Sequence, residues 1–148
     1  MHKKNIATGA VIAALYVVLT LINPLSYGAI NFRISDVLPV MALYKKEWAI
    51  GVSIGMIIAN AFSPFGIFDV CVAILICVIN YLITVPIKKI YIRISILIAT
   101  TSAIVAAEIS LITSSPFFLT LLGMLISQVV MSVIGYQLYQ NTFKFFAS

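Results

Sequence analysis

The sequence predicts an all-α integral membrane protein with six transmembrane helices. Of its 148 residues, 63% are hydrophobic and only 9% are charged, whereas a soluble domain carries roughly 25% charged residues. Apolar runs close to the roughly 20 residues that cross a bilayer recur along the chain, and its mean hydropathy is +1.18. The nine lysines and arginines fall in small groups between these runs. The net charge of +5 therefore indicates membrane topology rather than nucleic-acid binding.

The whole chain, 1–148, is predicted to be a single transmembrane domain. Its second span has only about 11 residues, which reach roughly 16 Å across a hydrocarbon core of roughly 30 Å. The preceding loop must supply the missing length, and irregular backbone at membrane depth is tolerated only inside protein or along a cavity. The stretch NPLSYGAINFRISDVLP, residues 23–39, is therefore predicted to form a pocket wall. The predicted spans are 5–23, 34–44, 47–63, 67–87, 93–113 and 117–140.

The basic residues predict the orientation of the six spans. With a cytoplasmic N-terminus, the C-terminus is also cytoplasmic, and eight of the nine basic residues lie on the cytoplasmic side. Only Arg33 then lies outside, which agrees with the positive-inside rule. The cytoplasmic group consists of Lys3, Lys4, Lys45, Lys46, Lys88, Lys89, Arg93 and Lys144.

Three acidic residues fall in the outer halves of the predicted spans. These are Asp36, Asp69 and Glu108, and Arg33 joins them. A charge at mid-bilayer facing lipid costs about 2.5–3.5 kcal/mol, so a shared pocket open to the outside is the cheaper arrangement. Structural roles remain open for Asp36, three residues from Arg33, and for Asp69 near a helix N-terminus.

Uncharged polar residues extend this set into an outward-facing polar cavity. Each of them, taken alone, could be an interhelical hydrogen bond in a membrane protein. The predicted substrate-binding residues are Tyr27, Asn31, Arg33, Asp36, Asn60, Asp69, Glu108 and Gln128.

Small residues recur at four-residue steps in the first and third spans. Ala10 and Ala14 form one such pair, and Gly51 and Gly55 form another. Small side chains let helices approach closely in lipid, where apolarity alone drives no association. Internal packing is expected for the two glycines, whereas the first helix could equally pack against another protein.

The chain lacks the motifs of an enzyme or of an ATPase. It has no G-x-x-x-x-G-K-S/T loop, and its single histidine, His2, lies near the N-terminus. No Ser/His or Cys/His mechanism and no zinc site is therefore predicted, and neither a cofactor nor a metal is expected. The cytoplasmic halves of the spans are nearly all apolar, which argues against a channel. An outward pocket without an energy source implies a partner protein.

Four segments carry a resemblance to a known family. They are AALYVVLT (13–20), SYGAINFRISDVLP (26–39), GVSIGMIIAN (51–60) and FDVCVAIL (68–75). In this order and spacing they resemble the QueT family, substrate-binding (S) components of energy-coupling-factor (ECF) transporters. The second segment is the most specific, and the resemblance covers nearly the whole chain.

The resemblance implies a multi-pass protein of the bacterial plasma membrane that captures a queuosine precursor, such as 7-aminomethyl-7-deazaguanine, from outside. It further implies a transmembrane coupling subunit and two ATPase subunits as partners, with Ala10 and Ala14 contacting the coupling subunit. An S component for another small vitamin, and an accessory subunit without a substrate, are the alternatives.

Overall fold

The computed structural model describes residues 2–23 and 32–143, which form helices and connecting turns without a β-strand. This confirms the predicted all-α class. A 3₁₀ turn at Ile34–Asp36 leads into the second helix, and π-helical turns at Ile79–Ile83 and Tyr139–Phe143 extend the fourth and the sixth. The helices are α1 His2–Ile22, α2 Val37–Ala42, α3 Lys46–Ala61, α4 Ile67–Val78, α5 Ile90–Thr113 and α6 Phe117–Leu138.

The helices differ in how far they reach across a bilayer. Within the described residues, three are long and apolar enough to cross it alone: Lys3–Ile22, Ile90–Thr113 and Phe117–Thr142. The 16 residues of α3 and the apolar run Ile67–Ile83 reach only about 25 Å. The helix in the predicted span 67–87 ends at Ile83, and Pro86 shortly after it has no N–H with which to continue a helix.

The predicted short second span is a buried element that is too short to cross a bilayer as a helix by itself. Together, its 3₁₀ turn and the six residues of α2 extend about 15 Å. All residues of α2 are buried, and Val40 is fully inaccessible to solvent. The protein therefore surrounds this element, as its insufficient length requires.

The closest helix contact joins α1 to α3. A Cβ atom added to Gly51 would collide with the backbone oxygen of Gly9, and one added to Gly55 would lie 2.7 Å from the backbone oxygen of Ala13. Gly9 and Ala13 therefore face α3, whereas Ala10 and Ala14 are exposed. The structure thus assigns Gly9 and Ala13 to internal packing and leaves Ala10 and Ala14 on the surface.

The bundle has two chemically different ends. At one of them, Asn5 donates a hydrogen bond to Glu47 at 3.2 Å and joins the starts of α1 and α3. At the opposite end, the Thr20 hydroxyl donates to the Ser35 hydroxyl at 2.7 Å. We call the first the basic end, since it carries Lys45, Lys46, Lys88, Lys89 and Arg93; Lys144 lies outside the described residues. The second is the pocket end, which holds Arg33, Asp36, Asp69 and Glu108.

Replacing Gly51 by alanine is expected to force α1 and α3 apart, because the new methyl group meets rigid backbone rather than a flexible side chain. Overpacking of this kind costs about 1–3 kcal/mol, so the melting temperature in detergent should fall. Gly123→Ala is the matched control, since nothing lies within 4 Å of its added Cβ and alanine favours the helix. Equal melting temperatures for the two variants would contradict the close α1–α3 contact.

The predicted orientation places the basic end in the cytoplasm, and labelling of single cysteines tests it. In a background without Cys71 and Cys77, an impermeant thiol reagent applied to intact cells should label Ser114→Cys, which is exposed at the pocket end. Lys89→Cys, exposed at the basic end, should react only after permeabilisation. Labelling of Lys89→Cys in intact cells would refute the predicted topology.

Candidate functional site

A small cavity of about 30 Å³ lies inside the bundle toward the pocket end. Residues from α1, α3, α4, α5 and α6 and from the segment before α2 line it, with Met56, Val105 and Met124 among its apolar walls. It brings together six of the eight predicted site residues: Arg33, Asp36, Asn60, Asp69, Glu108 and Gln128. Tyr27 and Asn31, the other two, lie outside the described residues.

Two hydrogen bonds tie the segment before α2 to neighbouring helices. Arg33 donates from Nη1 to the side-chain oxygen of Asn60 on α3 at 3.1 Å. Gln128 on α6 donates from Nε2 to the Asp36 carboxylate at 2.6 Å. Both bonds hold polar groups that would otherwise be costly to bury. A structural role for Asp36 is thus visible in its bond to Gln128, while both residues still line the cavity.

Asp69 is fixed by the turn that precedes α4. The Ser63 hydroxyl donates to the Asp69 carboxylate, and the same hydroxyl accepts the backbone N–H of Phe65 at 3.2 Å. Asp69 is only 6% exposed and stands in the first turn of α4, where the helix dipole favours a negative charge. The carboxylate therefore stabilises this turn and faces the cavity at once.

Glu108 is the least satisfied acid of the cavity. Its side chain is 9% exposed, and it interacts with the neighbouring carboxyl group of Asp69. Among the described residues, its Oε1 atom has no hydrogen-bond partner. Buried polar atoms are nearly always hydrogen-bonded, so this oxygen is able to accept a hydrogen bond from a molecule in the cavity, either water or a ligand.

Two polar lining residues, Tyr16 and Thr101, are absent from the predicted site. In sequence they stand among apolar residues of α1 and α5, where a hydroxyl usually bonds to its own helix. A signal existed for Thr101, because it precedes Glu108 by seven residues and so lies on the same helix face. No comparable signal marks Tyr16, whose position depends on the packing of α1 against α3.

The expectation that the cytoplasmic halves are apolar needs correction. At the basic end, Arg93 donates to the backbone oxygen of Leu43 at 2.8 Å and to the Thr84 hydroxyl at 3.4 Å. Asn80 is fully buried and donates to Thr100 at 3.2 Å. These groups satisfy one another within the helix packing, and none of them lines the cavity. They hold helices together rather than forming a polar path across the bundle.

A groove of about 980 Å³ runs along the outside of the bundle between α1 and α3. Ala10 and Ala14 line it, and on α3 the isoleucines Ile50, Ile54 and Ile58 are 44–53% exposed at four-residue steps. Lys46 and Glu47 lie at its basic end. The predicted docking residues therefore belong to a continuous apolar surface with a charged rim.

Among residues 2–23 and 32–143, no three His, Cys, Asp or Glu side chains cluster in a way that could hold a metal ion. The polar groups of the cavity are instead carboxyl, amide, hydroxyl and guanidinium groups. Such groups recognise an organic ligand through hydrogen bonds and charge.

Comparisons with known proteins agree with the resemblance. The sequence model of the family described as QueT transporter matches residues 6–144. The queuosine precursor transporter QueT of Lactococcus lactis subsp. cremoris (strain MG1363) is 31% identical, and the match covers 78% of each chain. No solved structure matches the chain. The chain therefore belongs to the QueT transporter family, a family of membrane transport proteins rather than enzymes.

Proposed function

We propose that this chain is the S component of an ECF transporter and captures a queuosine precursor from outside the cell. The ligand class is a 7-deazaguanine, such as 7-aminomethyl-7-deazaguanine. The observation that carries the proposal is a buried carboxylate oxygen of Glu108, which lies near Asp69 in the cavity and has no hydrogen-bond partner among the described residues. The name of the Lactococcus relative supports the same ligand class.

The acids of the cavity suit the donor-rich edge of a guanine-like ring. That edge presents adjacent N–H donors, and one carboxylate accepts two such bonds together. Glu108 is the best placed acceptor, because its Oε1 atom has no partner among the described residues. The side-chain amide of Asn60 can both donate and accept, which suits a ring edge that carries a donor and an acceptor. Its oxygen already accepts a hydrogen bond from Arg33.

The charges of the cavity favour a cationic ligand. Three carboxyl groups, those of Asp36, Asp69 and Glu108, face one guanidinium group, that of Arg33. Two ionised carboxylates as close as those of Asp69 and Glu108 repel each other, and a positive group near them relieves the repulsion. The aminomethyl group of 7-aminomethyl-7-deazaguanine is such a cation. It would therefore bind better than an uncharged substituent at the same ring position.

Binding a ring of this size requires the cavity to widen. Its volume of about 30 Å³ matches one or two water molecules, whereas sites for small molecules usually measure about 300–1,000 Å³. Two methionines line the cavity, Met56 on α3 and Met124 on α6. Unbranched methionine side chains repack easily, so they offer a route by which the walls open around a ligand.

Transport needs an energy source that this sequence does not contain, since it has no phosphate-binding loop for ATP. We propose that the groove between α1 and α3 binds a transmembrane coupling subunit that carries two ATPases. The exposed Ala10 and Ala14 let a partner helix approach closely, and the isoleucine row of α3 supplies apolar contact. Lys46 and Glu47 at the rim would pair with charges near the cytoplasmic ends of the partner helices.

Glu108→Gln tests the role of Glu108 in the site. The variant keeps the size of the side chain but replaces one acceptor oxygen by a donor, which would face a ligand donor in a desolvated site. The affinity for 7-aminomethyl-7-deazaguanine, measured by calorimetry, should fall by about 2–5 kcal/mol, roughly 30- to several-thousand-fold. The melting temperature without ligand should hardly change.

The matched control is Glu47→Gln, because Glu47 lies at the basic end and bonds to Asn5 rather than to the cavity. Its affinity should remain that of the unmodified protein. Unchanged affinity in Glu108→Gln would remove Glu108 from the site. No binding of the compound by the unmodified protein would refute the ligand assignment, and mass spectrometry of co-purified ligand would then identify the actual one.

Bulky residues on the exposed stripe of α1 should separate binding from transport. In the double variant Ala10→Leu/Ala14→Leu, uptake by cells that contain the coupling subunit and ATPases should be lost, because the partner helix is held away. Affinity of the isolated protein should stay within about twofold, since both residues lie outside the cavity. Val11→Phe is the control, because Val11 is 67% exposed but does not line the groove. Loss of binding together with uptake would indicate that the alanines stabilise the fold instead.

A further inference from the structure

Two buried hydroxyl groups of the cavity lack a hydrogen bond of normal geometry to any described residue. Tyr16 is fully buried, and its hydroxyl lies beside the side chains of Arg33 and Ser35 without forming such a bond to them. The hydroxyl oxygen of Thr101 is also buried and has no partner among the described residues. Both residues line the cavity.

The missing bond is unusual for Thr101, because neighbouring threonines use the helix backbone. Thr100 donates to the oxygen of Ile96 at 2.6 Å, and Thr113 donates to that of Ile109 at 2.7 Å. Each of these bonds satisfies the hydroxyl within one helical turn. The hydroxyl of Thr101 makes no such bond although it lies in the same helix. An unmade bond of this kind has a free-energy cost unless another group supplies the partner.

Thr101 lies deeper in the bundle than Glu108, whereas the Tyr16 hydroxyl lies beside the charged groups. Thr101 precedes Glu108 by seven residues on α5, which places it about 10 Å closer to the basic end. Tyr16 lies one turn below Thr20, and its hydroxyl reaches the side chains of Arg33 and Ser35. We call Tyr16 and Thr101 the floor of the cavity. Both residues of the floor carry a polar group without formal charge.

We infer that Tyr16 and Thr101 are direct ligand contacts, whose hydroxyls bind uncharged polar groups of the ring. This inference rests on the proposed function. A hydroxyl both donates and accepts, so each of the two can pair with either a donor or an acceptor of the ring. The floor would therefore add to the recognition of the ring, whose donor-rich edge the proposed function assigns to Glu108.

Removing each hydroxyl without changing shape tests this inference. Tyr16→Phe and Thr101→Val should each lower the affinity for 7-aminomethyl-7-deazaguanine by about 5- to 100-fold in calorimetry, because a ligand group loses its partner in a desolvated site. Without ligand, the melting temperature should stay equal or rise, since the variants delete a buried group that bonds to nothing in the described fold. A hydroxyl that serves the fold would give the reverse pattern.

Ser102→Ala is the matched control. Its hydroxyl is likewise buried and has no partner in the described part of the chain. Ser102 stands next to Thr101 on α5 but does not line the cavity. Its affinity should equal that of the unmodified protein. If Tyr16→Phe and Thr101→Val bind as tightly as the unmodified protein, the floor makes no ligand contact and the inference is wrong. If the unmodified protein itself binds no 7-aminomethyl-7-deazaguanine, the proposed function fails and this inference fails with it.

Discussion

The amide of Gln128 holds the carboxylate of Asp36 across 92 residues of sequence, and the arrangement of the pocket end depends on this hydrogen bond. Asp36 stands in a 3₁₀ turn before a helix of only six residues, which cannot cross a bilayer. A buried carboxylate without a partner would be very unfavourable there, so the turn has to sit where α6 can reach it. Arg33 is held in the same way, by the hydrogen bond that it donates to Asn60 on α3. The short element thereby becomes the wall that closes the cavity from one side.

Helix α1 lies between the cavity and the outer groove. Gly9 and Ala13 pack on α3, and one turn further along the same face Tyr16 lines the cavity. Ala10 and Ala14 lie on the adjacent face and line the outer groove. In the proposed mechanism, a partner helix in the groove therefore contacts the helix whose other side contacts the ligand. Because α1 and α3 are in close backbone contact, a shift of α1 would press on α3.

The charged part of the site could be predicted from the sequence because charge is expensive in lipid. Charged side chains in the outer halves of apolar spans avoid lipid by facing one another inside the protein. The structure agrees, since Arg33, Asp36, Asp69 and Glu108 line one cavity. Hydroxyls carry no such penalty, since a helix backbone can satisfy them. Only its spacing from Glu108 pointed to Thr101, and nothing in the sequence pointed to Tyr16 or to the buried Asn80 near the basic end.

Helix length and helix faces were predictable to different degrees. The apolar runs indicate where the helices lie. They do not show where the helix that begins with α4 stops, because that depends on the π-helical turn Ile79–Ile83 and on Pro86 after it. Gly9 and Ala13, rather than Ala10 and Ala14, face inward on α1 because they meet Gly51 and Gly55 of α3. Spacing within α1 gives both stripes the same period, so only the three-dimensional packing separates the inner stripe from the outer one.

In the proposed function, the size and the charge of the cavity both favour a partner that drives release of the ligand. Opening a cavity of about 30 Å³ to admit a ring separates packed side chains, and only contacts to the ligand can offset that cost. Carboxylates that bind a cation tightly in a desolvated site would also release it slowly. Tight capture from a dilute outside solution and release to the inside thus place opposite demands on the same groups. The proposed coupling subunit and its ATPases would meet the second demand by changing the bundle from the groove beside α1, one helix away from the cavity.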